Sequence, residues 1–210
     1  VSPPPAKRPY HHGNLRAELV RAALEVLGET GVARFSVAQA AKRAGVSSAA
    51  PYRHFADREA LLAACATVVA GELADALTAA ADAVGADPVE RLAVAAGAYT
   101  RYVIEHRVGL DLVYAEGLQN RRYVELHVEG RRFMDVLLSL ALDAPASAGY
   151  DDVFGVLEGQ LATAHGFATL QIDGGFARSR LDTEEVVARA TRATRAWAVG
   201  RAALREQGAG

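Results

Sequence analysis

Apolar residues recur along most of this chain at steps of three and four, which sets them repeatedly on one face of a helix. Leu15, Leu19, Ala22, Ala23, Val26 and Leu27 line one face of a helix predicted from Asn14, its N-cap, to Gly28. Ser36-Val-Ala-Gln39 has capping-box form and opens a second helix that Gly45 closes. A third runs from Ser47 to Phe55. A fourth is capped by Asp57 and continues to about Val84, carrying Leu61, Leu62, Cys65, Val68, Val69, Leu73 and Leu77. Asp87-Pro88 supplies an N-cap and a proline at the first helical position, and Val89, Leu92, Ala96, Tyr99, Val103 and His106 then form one buried stripe. A short helix over about 108–116 and a longer one over about 121–142, stopping before Pro145, come next. Asp151–Ile172 closes at Gly174-Gly175, and Asp182-Thr-Glu-Glu185 boxes the start of a last helix that ends near Arg205. No segment alternates apolar and polar residues as a strand does. The prediction is an all-α protein of about nine helices.

Composition agrees. Forty-five alanines against seven prolines favour helix almost everywhere. With 51% apolar and 23% charged residues, the 210-residue chain is ordinary globular material. No apolar run approaches the roughly 20 residues of a membrane span, and residues 1–8 lack a signal peptide's apolar centre. Cys65 stands alone, so an internal disulfide and a cysteine-rich zinc site are excluded. The expectation is a soluble, cytoplasmic protein without a membrane partner. Residues 1–13, proline-rich at their start, read as a flexible arm and 207–210 as a fraying tail. The net charge of −2 hides an asymmetry: residues 1–59 hold nine Lys/Arg against five acids, a net of +4, and the remainder holds fourteen against twenty, a net of −6. A basic end on an acidic body suits contact with a polyanion at that end.

Residues 36–55 carry the chemistry. Two short helices joined at a glycine make a helix-turn-helix, with Ala40 and Ala41 permitting close approach, Gly45 relieving the backbone and Val46 plugging the angle. Ser47, Ser48, Ala49, Tyr52, Arg53 and His54 are left on the outside of a narrow rod that fits a major groove. A plain helical hairpin shows the same spacing. The polar, aromatic and basic cluster Tyr52-Arg53-His54, with Lys42-Arg43 before the turn, favours DNA.

Residues 14–70 resemble the amino-terminal domain of the tetracycline-repressor (TetR) family of bacterial transcription regulators. The resemblance rests on Leu19-Val-Arg-Ala-Ala-Leu24, on Gly31 followed by Phe35-Ser36-Val37, on Ala40-Ala41 with Ala44-Gly45-Val46-Ser47, and on Tyr52, Phe55 and Asp57-Arg58-Glu59-Ala60-Leu61-Leu62. His165-Gly166-Phe167-Ala168-Thr169-Leu170 with Asp173-Gly174 is similar to the His-Gly (WHG-type) motif of one carboxy-terminal subgroup, although Leu161-Ala-Thr-Ala164 stands where a tryptophan often precedes it. The resemblance implies a DNA-binding domain over 14–57 and an effector-binding and dimerisation domain over 58–206. It implies that Ser36 and Val37 begin a helix against a phosphate and that Tyr52 hydrogen-bonds a phosphate. Arg53 and His54 would touch phosphate or base edges, Ser47, Ser48 and Ala49 would face bases, and Arg58 would also meet the backbone. Ser48 departs from the basic residue common there. Pro51 replaces a usual Leu or Val and removes at most one helical hydrogen bond. The arm Lys7-Arg8-Pro9-Tyr10-His11-His12 adds phosphate or minor-groove contacts or is a solvated tail.

In the body, Gly155, Gly159, Ala162 and Gly166 form a stripe of small residues that suits a helix-helix seam. The resemblance pairs it, together with Ala190, Ala193 and Trp197 of the last helix, with a twofold mate in a homodimer that reads a palindromic operator. Val69, Tyr99, Tyr102, His106, Tyr114, Tyr123, His127, Phe133, Met134, His165 and Phe167 lie where family members keep an effector pocket. They would suit an apolar small molecule with one or two hydrogen-bonding groups. For each residue singly, core packing is the commoner role. No cofactor motif, Ser-centred elbow, phosphate-cradling glycine loop or His-Glu-x-x-His pattern appears, so an enzyme is disfavoured. A regulator without a small-molecule effector, controlled by a protein or acting as an activator, and a helical adaptor with a vestigial DNA module are the other readings.

Overall fold

The computed structural model describes residues 15–145 and 150–208. The predicted cap Asn14 and the arm lie outside them. Among the described residues there are eight α-helices and no strand: α1 (Leu15–Thr30), α2 (Val37–Arg43), α3 (Arg58–Asp82), α4 (Pro88–His106), α5 (Leu110–Val113), α6 (Val124–Asp143), α7 (Tyr150–Ile172) and α8 (Thr183–Gly208).

The caps fall where side-chain chemistry puts them. The Ser36 hydroxyl accepts from Gln39 N–H at 3.3 Å while Ser36 N–H donates to Gln39 Oε1 at 2.8 Å, closing the predicted box. Asp57 Oδ1 accepts from Ala60 N–H at 2.7 Å, and Asp87 Oδ1 from Val89 and Glu90 N–H at 2.9 and 3.2 Å. Asp182 accepts from Glu185 N–H at 2.8 Å. Helix α1 runs two residues past the expected stop because Gly31, at φ 74°, rather than Gly28, makes the left-handed turn. The helix expected over 108–116 shrinks to the single turn of α5.

The largest departure is the segment 47–55. No α-helix forms there. A turn at Ser47–Ala50 leads into a single 3-10 turn, Pro51–Arg53, held by Ala50 N–H to Ser47 O at 3.0 Å and Arg53 N–H to Ala50 O at 3.2 Å. Pro51 has no N–H to return to Ser47, so the first α-helical bond is missing and the tighter turn takes its place.

Helix α3 is the axis of the molecule. Leu61, Leu62, Cys65, Val69, Leu73 and Leu77 are all buried, and alanines between them let α1, α4, α5 and α6 approach. It is also the one described helix long and apolar enough to cross a membrane, and 56% of its apolar window is buried inside the protein. Helix α4 packs on α3 along one side and on α7 and α8 along the other, and α7 and α8 pack together. Along α4, Leu92, Ala96, Tyr99 and Val103 are buried as the stripe requires, but His106 is exposed at the helix end.

Candidate nucleic-acid interface

The helix-turn-helix end of the molecule, its head, is built on two aromatic anchors. Phe35 and Phe55 are buried, with the Arg58 guanidinium 5.8 Å from the centre of the Phe35 ring and Arg16 5.4 Å from that of Phe55. Ala40 and Ala41 are buried on the inner face of α2, Gly45 turns at φ 72°, and Val46 N–H reaches back to Ala41 O at 3.0 Å. With Pro51 and Phe55 facing inward, Ser47, Ser48, Ala49, Tyr52, Arg53 and His54 are all exposed on one outer edge, Tyr52 at 58%. Lys42 is exposed beside them.

Three of the residues named for this surface are otherwise engaged. The Val37 side chain is buried, which leaves only its backbone N–H near the surface. Arg43 folds back onto α1, donating to Glu29 at 2.6 Å and Glu25 at 3.2 Å. Arg58 braces the head from within, donating to Val32 O at 2.6 Å and Phe35 O at 3.1 Å. The arm residues Lys7, Arg8, His11 and His12 lie outside the described residues.

The eleven expected pocket residues do not converge. Val69 and Phe133 are fully buried core. The Tyr99 hydroxyl is 3.0 Å from His165 Nδ1 and Tyr102 donates to Glu72 at 2.7 Å; burial pushes both phenols well above the ordinary tyrosine range. His106 packs on Tyr102 at 4.3 Å between ring centres, Phe167 on Phe176 at 5.9 Å, and Tyr123 lies under the Arg122 guanidinium at 4.7 Å. For the buried members helical spacing reflects core packing, and the Tyr99 and Tyr102 hydroxyls each have a side-chain partner. Tyr102 and His106 share an open cavity of about 540 Å³ against α1, and Tyr114, His127 and Met134 share another, of about 660 Å³, between the α5–α6 connection and α6. A further cavity of about 730 Å³ lies on the other flank of α6, against the ends of α3 and α4. Arg121, His127, Arg131 and Asp135 line the two cavities beside α6. Arg91 and Arg121 escaped the sequence reading; the exposed four-residue repeat His127, Arg131, Asp135 was the available signal. Among the described residues no group of three or more His, Cys, Asp or Glu is placed to hold a metal.

The small-residue stripe divides. A Cβ on Gly159 would stand 2.2 Å from the Trp197 ring and one on Gly155 2.8 Å from Arg201, while Ala190 is buried. These positions therefore serve packing within one chain. Ala193 is half-buried. Ala162 is exposed and a Cβ on Gly166 meets nothing within 4 Å, and Leu170, Val199 and Leu204 are exposed on the same two helices.

Residues 19–65 match the model of bacterial regulatory proteins of the tetR family, and residues 92–194 match the tetracyclin repressor-like C-terminal domain. A solved protein of unknown function from Rhodococcus sp. RHA1 is 33% identical, covers 90% of this chain and 97% of its own, and superposes with a TM-score of 0.68. A TetR/AcrR-family regulator from Thermobifida fusca YX-ER1 is 24% identical, with 87% and 97% covered and a TM-score of 0.58. The transcriptional regulator FadR from Bacillus subtilis, solved in complex with stearoyl-CoA, is 16% identical, with 85% and 96% covered and a TM-score of 0.63. No curated protein matches the chain.

Proposed function

Since the chain belongs to the TetR family of bacterial regulatory proteins, we propose that it is a one-component repressor that binds a palindromic operator as a homodimer and leaves it when a small molecule binds the body. One observation carries this reading: the exposed edge Ser47, Ser48, Ala49, Tyr52, Arg53, His54, backed by buried Pro51 and Phe55. Five of these six side chains could hydrogen-bond phosphates or base edges, and the bulky apolar Pro51 and Phe55 face inward. A lone head of this size covers few base pairs. Two copies joined through the exposed apolar surface of α7 and α8 would present two heads to half-sites about one helical turn or more apart.

Release follows from linkage. Helix α3 starts in the head and ends beside the larger cavity that flanks α6, so a ligand favouring one arrangement of α3 and α6 changes the spacing of the two heads. A coupling of about 1–3 kcal/mol alters operator affinity roughly 5–150-fold. The test is selection of bound sites from random duplex DNA, followed by titration with salt. An inverted repeat, bound with steep loss of affinity as salt rises, is the expected outcome. Recovery of no preferred sequence would refute the reading.

A further inference from the structure

We propose that Tyr99 and His165 form a proton-sensitive joint, which ties α7 to α4 while His165 is neutral and lets go when the imidazole gains a proton. It goes beyond the regulator reading, and only its consequence for DNA rests on that reading. Between α4 and α7, Gln160 Nε2 donates to Leu92 O at 3.0 Å, the Thr100 hydroxyl donates to Ala164 O at 3.1 Å, and the Tyr99 hydroxyl meets His165 Nδ1 at 3.0 Å. Of these ties only the last includes a group that titrates near neutral pH. Burial decides its direction. Tyr99 is 1% exposed, and His165 Nδ1 is the one acceptor within reach of its hydroxyl among the described residues. A buried O–H keeps a partner, so the tyrosine donates, Nδ1 accepts and the ring proton sits on Nε2. The Leu110 N–H, at the start of α5, faces the same phenolic oxygen and leaves its proton free to point at the imidazole.

A second ring proton ends that arrangement. With Nδ1 protonated both partners are donors, and the Tyr99 hydroxyl loses its acceptor in a buried place. His165 is only half-buried, so its ring can turn towards water. Among the described residues no carboxylate oxygen of α4, α5, α6, α7 or α8 stands within 4.0 Å of the ring to hold the charged form in place. Asp111 and Tyr114, beyond Tyr99, are the ionisable groups on the α5 side, and the Asp111 carboxylate accepts from Gly109 N–H at 3.0 Å. Arg107, just past α4, reaches Ile172 O at 3.4 Å, two turns further along α7. The joint lies towards the end of α4 that meets the head. Two turns beyond Tyr99, the His106 carbonyl packs against Gly28 of α1. Release of Tyr99 therefore loosens the end of α4 that touches the head, while Gln160 still holds the other end to α7.

Nitrogen NMR of isotope-labelled histidines in the full chain without DNA, with H165N to identify the signal, tests the tautomer. Urea titrations of wild type, Y99F, H165N and Y99F/H165N at about pH 8 and about pH 5.5 test the release. At the higher pH His165 is expected to carry its proton on Nε2. There Y99F should lower the folding equilibrium constant about fivefold, the worth of one hydrogen bond, and at the lower pH it should change little. In the H165N background Y99F should cost the same at both pH values, because the amide oxygen accepts at either. A proton on Nδ1 at pH 8, an equal cost of Y99F at both pH values in the wild type, no cost at either, or the same pH dependence in H165N would each overturn the joint. Gel shifts at the two pH values then read the link to the head: wild-type affinity should change more than that of H165N, and equal changes would overturn the link. A protein that recognises no operator would sink the regulator reading and leave the spectra and titrations as they stand.

Discussion

Arg122 donates to Asp57 Oδ2 at 3.1 Å, while the other oxygen of the same carboxylate caps α3. Asp57 follows the reading edge directly, and Arg122 belongs to the connection that leads into α6, so one side chain ties the head to the body. A second pair, Arg16 with Glu125 at 3.8 Å, spans the same junction. Arg122 and Asp57 are 51% and 37% exposed, and such a pair contributes at most about 1 kcal/mol. The cap adds about 1 kcal/mol more. Asp57→Ala should therefore destabilise the protein more than Arg122→Gln in urea titrations. Arg122→Gln should alter operator affinity with little change in the unfolding midpoint. Equal destabilisation by both would show that the cap contributes nothing.

Tyr52→Ala should abolish operator binding and leave folding within about 0.5 kcal/mol of wild type, since the residue is 58% exposed. Gel shifts paired with thermal melts check this; retained binding would remove the outer edge from the interface.

Gly28 touches the body directly. A Cβ there would lie 2.7 Å from the His106 carbonyl oxygen at the end of α4. Gly28→Ala gains up to about 1 kcal/mol of helix propensity but forces backbone apart, at a cost of about 1–3 kcal/mol. A net loss of stability and a shifted operator affinity are expected. Stabilisation, read in urea, would mean that α1 and α4 separate freely.

Gly159 and Ala162 should respond in different ways. Gly159→Ala drives a methyl into Trp197 and should cost about 1–3 kcal/mol of stability. Ala162→Arg, on the exposed side of α7, should leave each chain folded and lower the mass seen by light scattering to that of a monomer. An unchanged dimer would move the interface elsewhere.

Burial pushes the Cys65 thiol from its ordinary value of 9.0 up to about 12. The folded protein thus holds this proton more tightly than the unfolded chain. That contribution is complete below about pH 9 and is lost as pH rises from there towards 12. Alkylation at pH 8 should occur only as fast as the chain opens, so its rate should climb with urea. Rapid modification of native protein would contradict the buried position.

Although it missed the 3-10 turn at Pro51–Arg53 and the single turn of α5, sequence alone determined where most of the helices lie and which residues cap them. Those depend on neighbours three or four residues apart, so Ser36 with Gln39, Asp57 with Ala60 and the stripe Leu61, Leu62, Cys65, Val69 are readable from spacing. It also singled out Ser47, Ser48, Ala49, Tyr52, Arg53 and His54 as the outer set, and the structure added buried Pro51 and Phe55 on either side of Tyr52, Arg53 and His54. Tertiary structure decided everything that depends on which distant helix comes near. It turned Arg43 onto Glu29, sent Tyr99 to His165, filled the space at Gly159 with Trp197 and opened the two larger cavities beside α6. A helical stripe reveals that a face is covered. What covers it is settled only when the whole chain packs, because each contact then competes with every other for the same buried volume.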